Sequence, residues 1–576
     1  MRNPVSRFAY VQSDIGIKRS QFSRNHDHKT TISAGLLYPI LCDEVLPGDT
    51  YSVDMSSLIR MSTPIHPVMD NAFLDVYFFF VPNRIIWDHW KEFMGENPND
   101  PYLNPIEYSV PQFKNWHDFD VGVVPEKSLL DYLGVPSNTT PREFMQLPVR
   151  AYCKIWNEWF RDQNLQNAIA LDTGDADLSP AEVAGGYEGG DYYFYDHNNK
   201  SNPDAYVINA AHGGDLAPVN KYHDYFTSAL KQPQKGPAVP IPLNGFAPVY
   251  ANDLLNTVEL TSSDTLKFVN GSGAPVSGNV GLTANGTLSG TNGASNGGTA
   301  VYPLNLGADL SLNANTGVYA TIADLRYAFQ LQKFFEADNR GGTRYREILK
   351  QHFNVSIPDA SVQIPEFLGG KRIPINISQV LQTSATDSVS PQGNTAAYSL
   401  TSDKLSAFTK SFTEHGFLMA VACVRTEHTY CQGLERMWSR KGKFDYYFPE
   451  FANISEQPIR NKELYLGSGD ETGVDIQDGV FGFQEAWAEY RYKPNRVSGE
   501  FRPTCSQSLD IWHYGDNYDS LPYLSSEWIR ETRANIDRTL AVSSDVADQF
   551  ICDFYFKLNT TRAMPVYSIP GLADHH

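Results

Sequence analysis

The chain has 576 residues, and 41% of them are hydrophobic, so it can bury a large core. Its 32 Phe, 32 Tyr, 35 Pro and 42 Gly residues are typical of an all-β protein with long, well-packed loops, and they argue against a helical bundle. The formal charge of −20 excludes a generic nucleic-acid-coating protein, because such proteins carry a basic surface overall.

The first thirty residues depart from this acidic character. They hold six basic side chains and only two acidic ones, so the segment carries +4 and the remainder of the chain −24. A basic arm on an acidic body lets a subunit contact phosphate groups on one side only. The alternative interpretation is a solvated terminus without a ligand. The candidate DNA-binding residues are Arg2, Arg7, Lys18, Arg19, Arg24 and Lys29.

Strands are predicted from about residue 30. Residues 36–41 and 50–55 flank a Pro-Gly-Asp turn at 47–49, and the second segment has the period-2 apolar spacing of a strand. Residues 72–81 (AFLDVYFFFV) form the strongest predicted strand, because nearly all are aromatic or β-branched and Pro82 ends the run. This segment is expected to lie in the core.

Helices are predicted in three places. Residues 148–164 begin with a proline suited to a first helical turn and carry four large apolar side chains on one stripe, which we interpret as packing. Residues 321–339 begin with capping residues and end before a Gly-Gly pair. A further short helix is predicted for residues 344–351.

The region between the first two helices has an unusual composition. Residues 171–220 are rich in Gly, Asp, Asn and Tyr, and residues 268–308 contain no charged side chain. Four Asn-Gly dipeptides in the second stretch favour tight turns, with short strand segments between them. This pattern predicts small hairpins in a projecting insertion; the alternative is a flexible linker between two domains.

Strands resume after residue 411. Residues 417–424 are a continuous apolar strand, residues 486–492 and 509–514 alternate, and residues 550–558 close the set. The core strands therefore come from both ends of the chain, so the middle must be inserted into a sandwich rather than follow it. This organisation fits a jelly roll with long loops.

The sequence predicts no catalytic site, no metal site and no cofactor. It contains no HExxH, GxSxG or Walker sequence, and the Gly-rich segment 467–473 has the wrong spacing for a phosphate loop. The six cysteines are thinly spread without a CxxC pair, so buried free thiols are expected. No apolar run is long enough to span a bilayer and no signal peptide is apparent, so a protein made in the cytoplasm without membrane insertion is predicted.

Several long segments resemble the major capsid proteins of gokushoviruses, a branch of the microviruses. They include the strand-ending block MDNAFLDVYFFFVPNRIIWDHWKEFMGE and the segment SFTEHGFLMAVACVRTEHTYCQGLERMWSR. The resemblance covers about three quarters of the chain, in family order. The similar segments are residues 69–96, 149–166, 223–239, 323–349, 365–387, 411–440, 480–502 and 556–572.

The resemblance implies an all-β viral jelly roll, an eight-stranded antiparallel β-sandwich with very long loop insertions and a few helices. It also implies a structural major capsid protein that self-assembles through pentamers into a closed T=1 icosahedral shell around circular single-stranded DNA. The implied partners are copies of the chain, an internal scaffolding protein, a DNA pilot protein, a small basic DNA-binding protein and a host surface receptor. The implied locations are the virion and, during assembly, the host cytoplasm.

The expected domain organisation follows from these patterns. Residues 1–30 form the basic arm, residues 31–170 and 321–576 the shell domain with its interface loops, and residues 171–249 variable and interface loops. The gokushovirus resemblance implies that residues 250–320 form an insertion that builds a threefold surface protrusion, for which residues 171–220 are the other candidate. Host attachment is the hypothesis for this protrusion. The alternative function is a carbohydrate-binding or carbohydrate-cleaving β-sandwich, because exposed Trp and Tyr also suit sugars. An isolated tail-fibre-like protein is disfavoured because no coiled coil or β-helix repeat is visible.

Overall fold

The structure is a computed structural model of the chain. It describes residues 18–96, 107–114, 124, 126–139, 143–169, 171–177, 216–239, 249–251, 268–269, 280–282, 288–290, 302–303, 306–308, 322–381, 383, 395–467 and 476–567. The chain divides into two compact units, a larger one of residues 1–233 and 339–576 and a smaller one of residues 234–338.

Eight principal strands build two antiparallel sheets in the larger unit. The first sheet has the order β1-β8-β3-β6 and the second the order β5-β4-β7-β2. The strands are β1 (in two pieces, Ser20–Ser23 and His26–Ile32), β2 (Tyr38–Val45), β3 (Thr50–Met61), β4 (Ala72–Pro82), β5 (Glu366–Pro374), β6 (Thr401–Ser411), β7 (Gly416–Thr426) and β8 (Phe550–Arg562).

Each sheet joins the two ends of the chain. In the first, β8 lies between β1 and β3, with Ser20 opposite Arg562 and Phe550 opposite Met61. In the second, β7 lies between β4 and β2, with Gly416 opposite Pro82. The prediction that early and late strands pair with each other is therefore confirmed.

The core lies between the two sheets. The burial pattern of a strand indicates whether one or both of its faces are covered. Every second side chain of β8 is buried from Phe550 to Leu558, so one face of this strand meets the core. Nearly all of β7 is buried on both faces, as its continuous apolar sequence predicted. Across the core, the rings of Phe78 in β4 and Phe408 in β6 pack edge to face at 5.9 Å.

The predicted helices are confirmed with shifted ends. The first is Leu147–Ile155, which continues as a π-helix at Trp156–Phe160, and its Tyr152 hydroxyl donates to the Leu37 carbonyl at 2.7 Å. The other two are Ile322–Gly341 and Tyr345–Phe353. Shorter α-helices are Trp90–Phe93, Leu129–Tyr132, Asn461–Leu464 and Ala534–Asp537.

Two predicted strands are wrong. Residues 486–492 contain the 3-10 turn Ala488–Tyr490, which follows Trp487 in the left-handed region at φ 64°. Residues 509–514 contain the 3-10 turn Asp510–Trp512. In both places the alternation of apolar side chains reflects packing of a loop, because no strand of the described residues pairs with either segment.

Minor two-stranded sheets also lie in the larger unit, and 3-10 turns occur between its elements. The paired strands are Gln112–Lys114 with Glu143–Met145, Ile377–Leu381 with Thr395–Ser399, and Glu456–Arg460 with Val480–Glu485. The 3-10 turns are Asn83–Ile85, Asp359–Val362, Arg436–Ser439, Lys443–Asp445, Pro449–Phe451, Ile476–Asp478 and Gly499–Phe501, besides the two named above.

The smaller unit contains three nested antiparallel strand pairs. The innermost pair, Val280–Leu282 with Leu288–Gly290, brackets the Asn-Gly dipeptide at residue 285, so the predicted hairpin is confirmed there. The other pairs enclose it in sequence. They are Phe268–Val269 with Tyr302–Pro303, and Val249–Ala251 with Leu306–Ala308. The Asn-Gly turns themselves, and most of residues 171–220, lie outside the described residues.

Candidate nucleic-acid and assembly surfaces

The six candidate DNA-binding residues differ in their surroundings. Arg2 and Arg7 lie outside the described residues, and Lys18 precedes β1 with an exposed side chain. Arg19 lies along the first sheet, where its Nη2 donates to Thr50 Oγ1 at 2.9 Å and to two backbone carbonyl groups. Its guanidinium therefore joins β1 to the neighbouring strands.

Arg24 and Lys29 are paired with carboxylates. Arg24 donates two hydrogen bonds to Asp43, at 2.6 and 2.7 Å, and these bonds raise the pKa of the guanidinium above its ordinary value. The ammonium of Lys29 lies 2.5 Å from Asp27 and 3.6 Å from Asp553. Most of the described part of the predicted basic arm thus belongs to the first sheet, and two of its cations have carboxylate partners.

A buried ionic cluster, which the sequence did not reveal, joins the end of β7 to the long loop before β8. His428 Nδ1 lies 2.9 Å from Asp516 and its Nε2 lies 3.0 Å from Glu531. The side chains of the three residues are 1%, 7% and 0% exposed. Asn535 also donates to Asp516, at 2.6 Å, and Thr426 donates to Glu531, at 3.1 Å.

The two carboxylates keep this histidine charged. Burial alone lowers the pKa of His428, but the charges of Glu531 and Asp516 and the hydrogen bonds to both outweigh burial and raise that pKa to about 10. Both ring nitrogens then carry protons, and each donates to one carboxylate. The pKa of Asp516, opposed by its own burial, is held below its ordinary value by His428 and by Lys221. The cluster is a structural ion pair network.

A second buried carboxylate holds two arginines on the outer side of β4 and β7. Asp75 accepts from Arg372 Nε at 3.1 Å and from Arg425 Nε at 3.0 Å, and it also accepts from the Tyr222 hydroxyl at 2.7 Å. Both guanidinium groups lie over the Tyr222 ring, at 3.8 and 4.2 Å. The cluster borders a cleft of about 700 Å³ with aromatic walls. Aromatic side chains in those walls include Tyr77, Phe79, Trp159, Phe160 and Phe367.

A surface rich in basic and aromatic side chains was also missed from the sequence. It comprises residues 435–447 and 489–502, and we name it the basic aromatic surface. The letters RMWSRKGKFDYYF, which begin at Arg436, alternate cations with rings, and this interleaving is the signal that could have identified it. The two segments contact each other: the Arg440 guanidinium lies 3.2 Å from Glu489.

Helix Ile322–Gly341 presents large apolar side chains to solvent. Ala328 is its one buried residue, whereas Tyr327, Phe329 and Phe334 are 69%, 62% and 48% exposed. Apolar residues occur around its whole circumference, and a helix with this pattern is normally enclosed by other protein. The isolated chain therefore carries an apolar surface suited to a protein neighbour.

Several features bear on other classes of site. All six cysteines are free thiols and four are buried, as predicted. Within the described ranges, no group of three His, Cys, Asp or Glu side chains could hold a metal ion. No described helix has both the length and the apolar character needed to cross a membrane.

Known proteins similar to this chain share one description. The model of the capsid protein (F protein) family matches residues 9–572. The capsid protein VP1 of Chlamydia phage 1 is 39% identical, with 98% of both chains covered. The capsid protein VP1 of Spiroplasma virus 4 is 40% identical with 96% of both chains covered, and that of Bdellovibrio phage phiMH2K is 37% identical with 99% of this chain and 98% of the relative covered. The chain therefore belongs to the capsid protein (F protein) family of the microviruses, as the gokushovirus resemblance predicted, and is a structural major capsid protein of the virion rather than an enzyme.

Proposed function

We propose that this chain forms the wall of a T=1 icosahedral shell that encloses circular single-stranded DNA, with a viral jelly roll as the wall domain. The observation that carries the fold is the strand order. Numbered along the chain, the eight strands are arranged 1-8-3-6 and 5-4-7-2 in two antiparallel sheets, and this order supports the proposed jelly roll. Identical subunits of one fold form closed shells by point-group symmetry, and T=1 is the simplest icosahedral case.

The proposed contacts between subunits use the apolar surface of helix Ile322–Gly341. A second copy of the chain is the partner that a self-assembling capsid protein supplies, and aromatic residues are enriched in such interfaces. The helix also exposes charged residues between its rings, so it suits a surface that first meets solvent and is then covered on assembly.

This interface can be tested with a matched pair of variants. Phe329→Glu should leave the unassembled chain folded but abolish shell formation, because it places a charge in a desolvated contact. Gln330→Ala, on the same helix and also exposed, should assemble normally. Normal assembly of the Phe329→Glu variant, measured by sedimentation, would exclude this helix as a subunit interface.

The shell and its contents can be tested directly. The chain should be produced with an internal scaffolding protein, which is one of the partners we propose together with a DNA pilot protein and a small basic DNA-binding protein. Negative-stain electron microscopy should reveal closed particles of one size, formed in the host cytoplasm from pentamers. Nucleic acid extracted after nuclease treatment should be single-stranded and resist exonuclease because it is circular. Small oligomers alone, or particles without protected DNA, would contradict the proposal.

The basic arm of residues 1–30 is the proposed DNA contact within this function. Its support is the surplus of cations over carboxylates in the sequence, with Arg2, Arg7 and Lys18 as candidates beside Arg19, Arg24 and Lys29. Neutralising Arg2, Arg7 and Lys18 together should reduce the amount of packaged DNA. Unchanged packaging would remove the arm from the proposal without affecting the shell.

The insertion of residues 250–320 is the proposed surface protrusion and host receptor contact. Its support is its charge-poor composition and its three strand pairs, which are nested in sequence as in an insertion that leaves and returns at one place. Replacing residues 268–303 by a short Gly-Ser linker keeps the outermost strand pair, Val249–Ala251 with Leu306–Ala308. Particles of this variant should assemble, lose the threefold bumps and fail to adsorb to host cells. Adsorption equal to that of particles with the full chain would refute the attachment role.

A further inference from the structure

The basic aromatic surface stands out from an acidic protein. Residues 435–447 and 489–502 hold eight basic and four acidic side chains, so they carry +4 in a chain whose total is −20. Residues 441–447 are seven consecutive exposed residues. Within the described chain, no ion pair joins Lys441 or Lys443 to a carboxylate, unlike Arg24 and Lys29 of the predicted arm. Two exposed lysines of this surface therefore carry charge that no carboxylate of the described chain neutralises by an ion pair.

Ion pairs at its base hold the two segments in place. Glu489 pairs with Arg440 at 3.2 Å, and Glu435 pairs with Lys493 at 2.5 Å and with Arg496 at 3.7 Å. Two of the four acidic side chains, Glu435 and Glu489, therefore tie the two segments together. The surface is preformed, so a ligand need not order it first.

Aromatic side chains lie between these cations and are exposed to solvent. Trp438 and Phe444 are 67% and 69% exposed, and Tyr446 and Tyr490 are also exposed. The Arg440 guanidinium lies over the rings of Tyr490 and Tyr446, at 4.5 and 5.2 Å. A cavity of about 250 Å³ opens between the two segments, beside Tyr490 and Arg440. Both flat stacking surfaces and a recess are thus present among the cations.

Two features favour nucleic acid over a second protein as the occupant. Lysine is depleted in protein interfaces, yet this surface presents the lysines 441, 443 and 493, all exposed. Accessible rings interleaved with Lys and Arg match the way proteins bind single strands, where bases stack on the rings and phosphates contact the cations. Duplex DNA keeps its bases stacked on each other, so it leaves such rings unused.

We propose that the basic aromatic surface binds the packaged single-stranded DNA, with bases stacked on Trp438, Phe444 and Tyr446 and phosphates at Lys441 and Lys443. Binding is sequence-tolerant, because every base has a face that can stack. The proposal rests on the proposed function, in which the shell encloses single-stranded DNA, and it adds a site beyond the basic arm.

The first experiment maps contacts in the DNA-filled particle. Ultraviolet irradiation followed by proteolysis and mass spectrometry should yield nucleotide adducts on peptides from residues 436–447. Tyr523 and Tyr567, which are 71% and 80% exposed elsewhere, are internal controls and should carry none. Adducts confined to residues 1–30 would overturn the proposal while the proposed function stands.

The second experiment uses the unassembled full-length chain and a fluorescent oligo(dT) probe, so it does not depend on packaging. The Lys441→Ala/Lys443→Ala variant should lower the slope of log K against log salt by about 1.4, since each phosphate contact on a single strand contributes about 0.7. Phe444→Ala should weaken binding roughly 5- to 150-fold. The matched control, Lys404→Ala/Lys557→Ala on β6 and β8, should leave both quantities unchanged.

The remaining outcomes distinguish failure of the proposed function from failure of the DNA site on the basic aromatic surface. Particles without protected DNA refute the proposed function, whereas oligo(dT) binding by the chain would still support the surface as a DNA site. Equal loss of binding in the two double-lysine variants would overturn the proposal, because binding would then depend on the overall charge of the chain and not on this surface. Chemical crosslinks from Lys441 or Lys443 to a neighbouring subunit's carboxylates in filled particles would assign the surface to a second copy of the chain and also overturn it.

Discussion

The buried cluster around His428 gives a prediction whose size and pH dependence follow from its geometry. In the His428→Gln variant, Asp516 and Glu531 lose the cation between them and remain buried, and breaking a buried ion pair in this way costs about 3–5 kcal/mol. The pKa leads to a similar figure. A rise from 6.5 to about 10, at about 1.4 kcal/mol for each pKa unit, corresponds to about 5 kcal/mol.

The sign of the pH dependence follows from the direction of that pKa. Because the folded-state pKa of His428 lies above its unfolded value, the protonated ring stabilises the fold fully below about pH 6.5. This contribution falls by about 1.4 kcal/mol per pH unit above that value and is lost as the pH rises through about 10. The stability difference between the original chain and His428→Gln should therefore shrink from pH 6.5 to pH 10.

Urea unfolding of the unassembled chain, followed by tryptophan fluorescence at several pH values, measures this difference. His89→Gln is the matched control, because His89 contacts Asp175 at 2.8 Å with both side chains partly exposed, and it should cost less than about 1 kcal/mol. Adding Glu531→Gln to His428→Gln should recover part of the loss, since it removes one uncompensated charge. A difference that stays level or grows between pH 7 and pH 9 would refute a charged imidazole in the folded chain.

Other predictions concern the sheets and the thiols. Arg562→Ala should destabilise the chain by about 3 kcal/mol in urea unfolding, because it leaves the buried carboxylate of Asp49 without the guanidinium 2.7 Å away. Gly416→Ala should cost about 1–3 kcal/mol in the same assay and lower assembly yield, because a Cβ there would collide with the Val81 carbonyl oxygen of the adjacent strand. A thiol reagent at pH 8 should label Cys505 first and leave the buried cysteines, whose pKa is raised by burial, unlabelled until unfolding. Rapid labelling of all six in the folded chain would contradict the described packing.

The sequence predicted the central strands well because their composition leaves little choice. Strand β4, predicted at 72–81, is mostly aromatic and β-branched, and strand β7, predicted at 417–424, is continuously apolar. Continuous apolar runs of this kind suit a strand that is covered on both faces. Strand β8 shows strict alternation, which fixes the face that meets the core. Pairing between the two ends then followed from the need to cover these faces.

Three outer strands were missed: β1, which lies in the predicted basic arm, and β5 and β6, whose sequences show the reason. Strand β5 contains Gly369-Gly370, which resembles a turn, and its register with β4 shifts between Phe367 and Gly369. Strand β6 is largely polar, and its register shifts between Ser406 and Phe408, so its apolar residues do not keep a period of two. Local patterns predict neither bulges nor the neighbour that supplies the hydrogen bonds.

The candidate sites also have features that composition reveals and contacts that only the fold reveals. The basic character of residues 1–30 is a matter of composition and was visible, but the partners of its cations were not, because Asp43 and Asp553 come from other strands. The cluster of His428 draws its carboxylates from residues 88 and 103 positions further along the chain. Contacts at such separations depend on the complete fold, so no motif marks them.

The strand order also constrains when this capsid protein can fold. Strand β8 is the last principal strand of the chain and pairs on both sides, with β1 and with β3. Until β8 has paired, β1 and β3 each have an edge without hydrogen-bond partners, and β1 is not joined to the rest of the first sheet. Contacts such as Ser20 with Arg562 span almost the whole chain, and such non-local pairing is slow to form. The first sheet is therefore complete only when β8 has paired with β1 and β3, and this long-range pairing is expected to be a late step of folding.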